Sequence, residues 1–339
     1  MSGRVFHGPF LKVSPLYDVV GILERTKSES KKMFPDVTIY RTFDEILRDD
    51  SVELVVVNTP NTTHFDFAKR ALNAGKHVVV EKPFTITVKE GILLKNLAEK
   101  KNKILSVFHN RRYDSDFKTI KKVLDKGLLG RVVEAEMRFD RYRLHPGNKL
   151  HKETPGPGTG NLYDLGSHLI DQAIQLFGMP EKIFADIDII REDSRVDDYF
   201  EVLLWYKSLR VRLHSTYLAM IELPGYTFSG TTGSFVKAKT NIQEERLSKG
   251  ELPDAKDWGI EPECEHGLLS RAKAKTKHPV AMVSEKGDYM DYYKELYHAI
   301  RNKKPVPVAA EDGIKVIHLI ELAYKSNQLK RIIPVTPLF

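Results

Sequence analysis

The sequence has almost no cysteine, no long apolar run and no signal-like opening. One cysteine, Cys264, occurs in 339 residues. This excludes an internal disulfide framework and agrees with a reducing compartment, so the expected location is the cytoplasm. No apolar stretch approaches the ~18–20 residues that a bilayer span requires, so no membrane partner is expected. The opening "MSGRVFHGPFLKVSPLYD" lacks the apolar core and small-residue cleavage site of a signal peptide. Internal repeats and low-complexity tracts are missing too.

One-sided charge is also lacking. The net charge is +7, but the 53 basic residues are mixed with 46 acidic ones, the pattern of a solvated surface rather than a nucleic-acid face. The densest basic stretch, "SRAKAKTKHP" at 270–279, has no interleaved aromatics and reads as a loop.

What is present points to two domains, because single cores stop growing near ~250–300 residues. Short apolar runs at 17–24, 53–59, 76–82 and 103–109 are continuous rather than alternating, as in parallel strands buried on both faces. Helical patterns at 42–50, 64–75 and 88–102 lie between them, with Thr42 and Asp44 suited to a helix start and Gly75 to a C-terminal cap. Residues 1–115 therefore read as a doubly wound α/β dinucleotide-binding domain of the Rossmann type.

Residues 116–339 follow a different grammar. A helix at 117–130 precedes long alternating segments at 131–143, 182–190, 198–207 and 209–217, with a hairpin pattern at 230–237 and helices at 289–302 and 311–326. Alternation with one polar face predicts an α+β domain with a large, mostly antiparallel open sheet. Its free face is a plausible subunit interface, so a homodimer or homotetramer is expected.

The first domain lacks its expected first strand. In a doubly wound dinucleotide domain that strand runs into a glycine-rich turn and a helix whose N-terminus receives the pyrophosphate. Here the helix segment "SGRVFHGPFLK" comes first, and "ILERTKSES" after the run at 17–24 contains no glycine fingerprint. We therefore expect roughly ten residues of strand and turn to be missing ahead of Met1, and a gap between the strands at 17–24 and 53–59.

The stretches "TPNTTHFDFAKRALNAGKHVVVEKP" (59–83), "HNRRYDSDF" (109–117) and "GTGNLYDLGSHLIDQ" (158–172), in this order, resemble the glucose–fructose oxidoreductase, inositol dehydrogenase and rhizopine-catabolism (Gfo/Idh/MocA) family. The wording is similar to the subgroup of NADP-dependent scyllo-inositol dehydrogenases. The resemblance implies an NAD(P)-dependent oxidoreductase acting on a polyol, inositol or sugar. It also leaves open an NAD-dependent glycoside hydrolase and a non-catalytic NAD(P)- or sugar-sensing regulator.

Such chemistry needs a base for the hydroxyl proton while hydride leaves for the nicotinamide. Asp164 and His168 lie four residues apart and would share a helix face, with Asp171 three residues on. Imidazole accepts a proton near neutrality. Lys82, at the carboxyl end of a buried strand and followed by Pro83, can bond a substrate hydroxyl or developing alkoxide. The resemblance makes Lys82, Asp164 and His168 one catalytic set. A metal site from Asp164, His168 and Asp171 lacks a convincing further ligand, and none is expected.

By resemblance, Ser2 and Gly3 are the tail of the glycine turn; Thr59, Pro60, Asn61 and His64 border the nicotinamide ribose and pyrophosphate, with Glu81, Lys82 and Asn110 nearby. Arg111 or Arg112, Arg143, His145 and Tyr163 are candidate substrate contacts beside Asp164. Cofactor choice turns on "ERTKS" at 24–28. Glu24 would accept from the ribose 2′-hydroxyl of NAD, whereas Arg25, Lys27 and Ser28 suit the 2′-phosphate of NADP. Two cations against one carboxylate, with the subgroup resemblance, lean to NADP.

Overall fold

Val78, Val79 and Val80 are completely buried, which is what a continuous β-branched run predicts for a strand covered on both faces. They form the centre of the first half of the chain in a computed structural model that describes residues 2–147, 153–274 and 278–338. The elements of this half are α1 (Gly8–Val13), entered through a π-helical turn at Gly3–His7, then β1 (Gly21–Leu23), β2 (Thr38–Tyr40), α2 (Phe43–Arg48), β3 (Leu54–Val57), α3 (His64–Asn73), β4 (His77–Glu81), α4 (Val88–Lys100) and β5 (Leu105–Phe108). Local chemistry sets the helix starts. Thr42 caps α2 through Glu45 N, and Thr87 with Glu90 closes a capping box on α4.

The strands are parallel but fall into two pieces, β1–β2 and β3–β4–β5. β1 and β3 do not pair. A cavity of about 970 Å3 lies between them, lined on one side by Val20, Gly21 and Ile22 and on the other by Leu54 to Asn58. This is where the expected gap was placed.

The second half contains α5 (Ser115–Asp125), β6 (Val132–Arg138), a π-helical turn at Leu162–Gly166 running into α6 (Ser167–Phe177), β7 (Lys182–Asp188), β8 (Tyr199–Trp205), β9 (Arg210–Thr216), β10 (Tyr226–Gly230), β11 (Gly233–Lys237), α7 (Ile242–Ser248), β12 (Gly267–Arg271), β13 (Val280–Met282), α8 (Met290–Asn302), α9 (Ala310–Leu329) and β14 (Ile333–Pro334). One nine-stranded sheet runs β13-β12-β11-β10-β6-β9-β8-β7-β14, antiparallel except for the β6–β9 pair. Alternating burial along β7 and β8 turns Ile183, Val202 and Leu204 toward the helices and Phe184, Leu203 and Trp205 toward the open face. The basic stretch expected as a loop begins inside β12, and its residues 275–277 lie outside the described residues.

The two halves also share a core. Trp258, Tyr289, Tyr292, Tyr293 and Leu296 belong to the core that covers β3–β5, together with Phe10 and Phe108. Tyr293 stacks on Phe10, and Tyr292 meets Phe108 edge-on. The chain thus returns to its first sheet after building the second. α9 then crosses between the cores, placing Ala310 and Ile314 in one and Val316, Ile317, Leu319 and Ile320 in the other.

Candidate active site

The halves meet at the carboxyl end of β4. Lys82 follows the buried valines, and its Nζ donates to Asp164 Oδ1 at 2.7 Å and to the Asp164 main-chain oxygen at 2.9 Å. The π-helical turn presents Asp164 to this lysine, and α6 continues to His168. His168 is buried, its Nδ1 has no partner, and its ring makes no hydrogen bond among the described residues. Burial first, then the positive charges of Lys82 and Arg111 and the neighbouring His109, hold His168 well below the ordinary imidazole range, against the pull of Asp164. The ring is a neutral acceptor at pH 7. Asp164 orients Lys82 rather than the imidazole.

His109, at the end of β5, was not singled out by sequence reasoning. Its ring lies 6.3 Å from that of His168, edge to face, with neither nitrogen hydrogen-bonded and Asp171 Oδ2 4.0 Å from Nδ1. Asp171 itself is gripped by Arg112, Nε to Oδ2 at 2.8 Å and Nη2 to Oδ1 at 2.5 Å. That bidentate pair commits the Asp171 carboxylate to Arg112.

The residues toward a dinucleotide fit that group. A Cβ on Gly3 would come within 2.6 Å of Asn58 Nδ2, so the first turn lies close against the end of β3 and a larger residue there would have to displace the Asn58 side chain. The cavity between β1 and β3 runs from Gly3 and Arg4 past Asn58 and Thr59 to Glu24 and Ser30. Glu24 turns inward, accepting from the N–H groups of Glu29 at 2.9 Å and Ser30 at 2.7 Å. The Ser30 side chain first, then these two N–H groups, hold its carboxyl below the usual range against a small burial effect. Arg25 and Lys27 remain exposed beside it. Arg41, which no sequence motif indicated, braces this loop by donating to Glu24 O at 2.7 Å, to Ser28 Oγ at 3.0 Å and to Lys27 O.

Other expected cofactor residues are committed to the protein. Glu81 accepts from Ser2 Oγ and contacts His7 Nε2 at 3.0 Å; burial opposes its charge, yet these partners hold it at about 2. Both nitrogens of buried His64 face main-chain oxygens, Pro83 O and Thr59 O, each at 2.9 Å, so His64 clamps the 59–60 loop to the end of β4 instead of offering a donor to a ligand. Thr59 Oγ1 accepts from Thr63, Pro60 precedes the turn at Asn61–Thr63, and Asn61 Nδ2 donates to Gly158 O at 2.7 Å, tying this loop to the second half. The buried Asn110 side chain has no hydrogen bond within the described protein and remains available near His109.

Three substrate assignments change. Arg111 is buried in a network with Asp114, Tyr289 and Glu244 of α7, a partner 133 positions away that local spacing could not reveal. Tyr163 points to the other side of its turn, where its hydroxyl donates to Ile86 O at 3.0 Å and its ring stacks on Tyr324. His145 forms an exposed contact with Asp193. Arg143 lies over the Tyr217 ring at 5.8 Å. Arg141, two residues earlier and absent from the sequence reading, lies over Phe139 at 5.1 Å.

The architecture defines a two-domain dinucleotide-binding protein with a Lys–Asp pair and a neutral histidine at the domain junction. Residues 1–109 match the NAD-binding Rossmann fold of the Gfo/Idh/MocA oxidoreductase family and residues 121–336 match its C-terminal alpha/beta domain. The chain belongs to that family and is an oxidoreductase. It is 39% identical over 333 residues to scyllo-inositol 2-dehydrogenase (NADP(+)) IolW of Bacillus subtilis, covering 98% of this chain and 93% of the relative. It is also 39% identical to the uncharacterised oxidoreductase YdgJ of Escherichia coli, over 96% of this chain and 93% of that one. Among solved structures, yvaA of Bacillus subtilis superposes with a TM-score of 0.96 at 38% identity, covering 99% of this chain and 95% of that one.

Proposed function

We propose that the protein is a cytoplasmic, NADP-preferring dehydrogenase or reductase that moves a hydride between the cofactor and a CH–OH group of a polyol, inositol or sugar. The observation that carries this is the double contact of Lys82 with Asp164 beside a buried, neutral His168. The nicotinamide, when bound, supplies the hydride acceptor or donor. His168 takes the hydroxyl proton on oxidation and returns it on reduction. Lys82, fixed by Asp164, bonds the reacting oxygen and stabilises negative charge developing there. The loop favours NADP, because two main-chain N–H groups engage Glu24 while Arg25 and Lys27 stay exposed beside it, Lys27 lying 3.1 Å from Glu29. The open face of the nine-stranded sheet, with half-buried Phe184, Tyr199, Leu203 and Trp205, suits self-association as a homodimer or homotetramer. Light scattering tests that assembly, and a monomer at micromolar concentration would remove it.

A panel of inositols, polyols and aldoses with NADP and NAD, read at the reduced-cofactor absorbance, tests the reaction. His168→Ala is expected to retain cofactor affinity and lose ~10²–10⁴-fold in turnover. Unchanged turnover would remove His168 from the proton-transfer role.

A further inference from the structure

The strand β6 continues past its last ladder residue. Phe139, Arg141 and Arg143 donate their N–H groups to His214 O, Thr216 O and Tyr217 O at 3.0, 2.9 and 2.7 Å, so the three alternate positions put their side chains on one face. That face looks toward the site, since the Phe139 ring centroid is 6.3 Å from that of His168. Arg141 is held against Phe139 and Arg143 against Tyr217.

These two arginines differ from the other cations around the site. Lys82 has Asp164; Arg111 has Asp114 and Glu244; Arg112 has Asp171 and Asp312; Lys239 has Asp116; and Arg191 has Asp198 and Glu153. Neither Arg141 nor Arg143 has a carboxylate partner or a side-chain hydrogen bond among the described residues. A guanidinium carries five donors in a planar fork that matches a carboxylate or phosphate. Arg141 is half-buried, so water does not fully replace a missing acceptor. Burial first, then Arg143 and Arg111, push Arg141 below the ordinary guanidinium range, with Glu244 opposing. The local field is short of negative charge. Tyr217 links this face to the chemistry, because its hydroxyl senses Asp164 as well as Arg143 and Arg141.

We propose that Arg141 and Arg143 form a subsite for an anionic group on the substrate, so that the enzyme prefers an acidic sugar or polyol, carrying a carboxylate or phosphate, over its neutral counterpart. The proposal rests on the oxidoreductase reading above. Arg141, nearer His168 through Phe139, is the main specificity determinant, and exposed Arg143 is the outer member of the pair.

Matched trios test this: D-glucose, D-glucuronate and D-glucose 6-phosphate, and the corresponding galactose compounds, each with NADP. The expected result is kcat/KM at least tenfold higher for an acid than for its neutral partner, with the two acids showing which anion the subsite takes. Arg141→Gln should lower the acid-to-neutral ratio roughly 10–100-fold, mainly through KM, as loss of a charge-assisted bond does. Arg141→Lys should restore part of it. A neutral compound used as well as its acid, or an unchanged ratio in Arg141→Gln, overturns the subsite while leaving the dehydrogenase reading intact. If no compound is oxidised, that reading is in question and calorimetry decides the subsite separately. Binding of D-glucuronate or D-glucose 6-phosphate that Arg141→Gln abolishes supports it, and absence of binding overturns it.

Discussion

Lys82 and Asp164, 82 positions apart, are joined through two oxygens of the same aspartate, Oδ1 at 2.7 Å and the main-chain carbonyl at 2.9 Å. The carbonyl contact fixes the middle of the π-helical turn against the end of β4, and the carboxylate contact fixes the direction of the ammonium. Lys82→Met should therefore lower turnover by on the order of 10²–10³ while cofactor binding persists, because a positioned charge is lost from the reacting oxygen. Steady-state kinetics with a parallel fluorescence titration of NADPH separates the two effects. Equal turnover in the variant would mean that Lys82 only fastens the domains together.

Mild acid should weaken the fold through its buried histidines. His64, His109 and His168 are all buried and all held below the ordinary imidazole value of about 6.5, chiefly by burial. Below pH 6.5 the unfolded chain takes up protons that the folded histidines refuse. Stability is thus complete above that value and falls with pH, by up to about 1.4 kcal/mol per pH unit for each such group. Asp114, pushed up by burial to about 6, works in the opposite direction and offsets part of the loss. Urea unfolding midpoints at pH 7.5, 6 and 5 should decline through this window. A flat series would show that these histidines charge in place.

Cofactor preference should follow the 24–28 loop. Replacing Arg25 and Lys27 together with Ala is expected to weaken NADPH binding ~10-fold or more relative to NADH, since charge-assisted bonds to a phosphate contribute about 1.5–3 kcal/mol. Arg41→Ala should act in the same direction through the loop it braces. Equilibrium titrations of both cofactors measure the ratio, and an unchanged ratio in the double variant would count against a 2′-phosphate site there.

Local order was readable wherever one segment's chemistry suffices. "KHVVVEK" announces a doubly buried strand, Thr42 announces a helix start, and the alternation at 198–207 announces a half-covered strand. Side-chain destination was harder to read. Tyr163 and Asp164 are adjacent, yet the π-helical turn sends one to Ile86 and the other to Lys82. Arg111 and Arg112 look equivalent in sequence, but their carboxylates, Glu244 and Asp312, come from elements far along the chain. Arg141 drew no attention because an arginine in an alternating strand looks like ordinary surface. Its distinction is the partner it lacks, which only the surroundings reveal.

The packing of Phe10 against Tyr293 also orders events in time. Translation proceeds from the N-terminus, and domains usually condense as units soon after they emerge. Here β3–β5 can pair early, but the aromatic layer that covers their first helix, Trp258, Tyr289 and Tyr293, is encoded only after residue 257. The dinucleotide half must therefore wait, with Phe10 and Phe108 uncovered, until almost the whole polypeptide has left the ribosome. Phe10, made before the strands it covers, is among the last groups to be sealed.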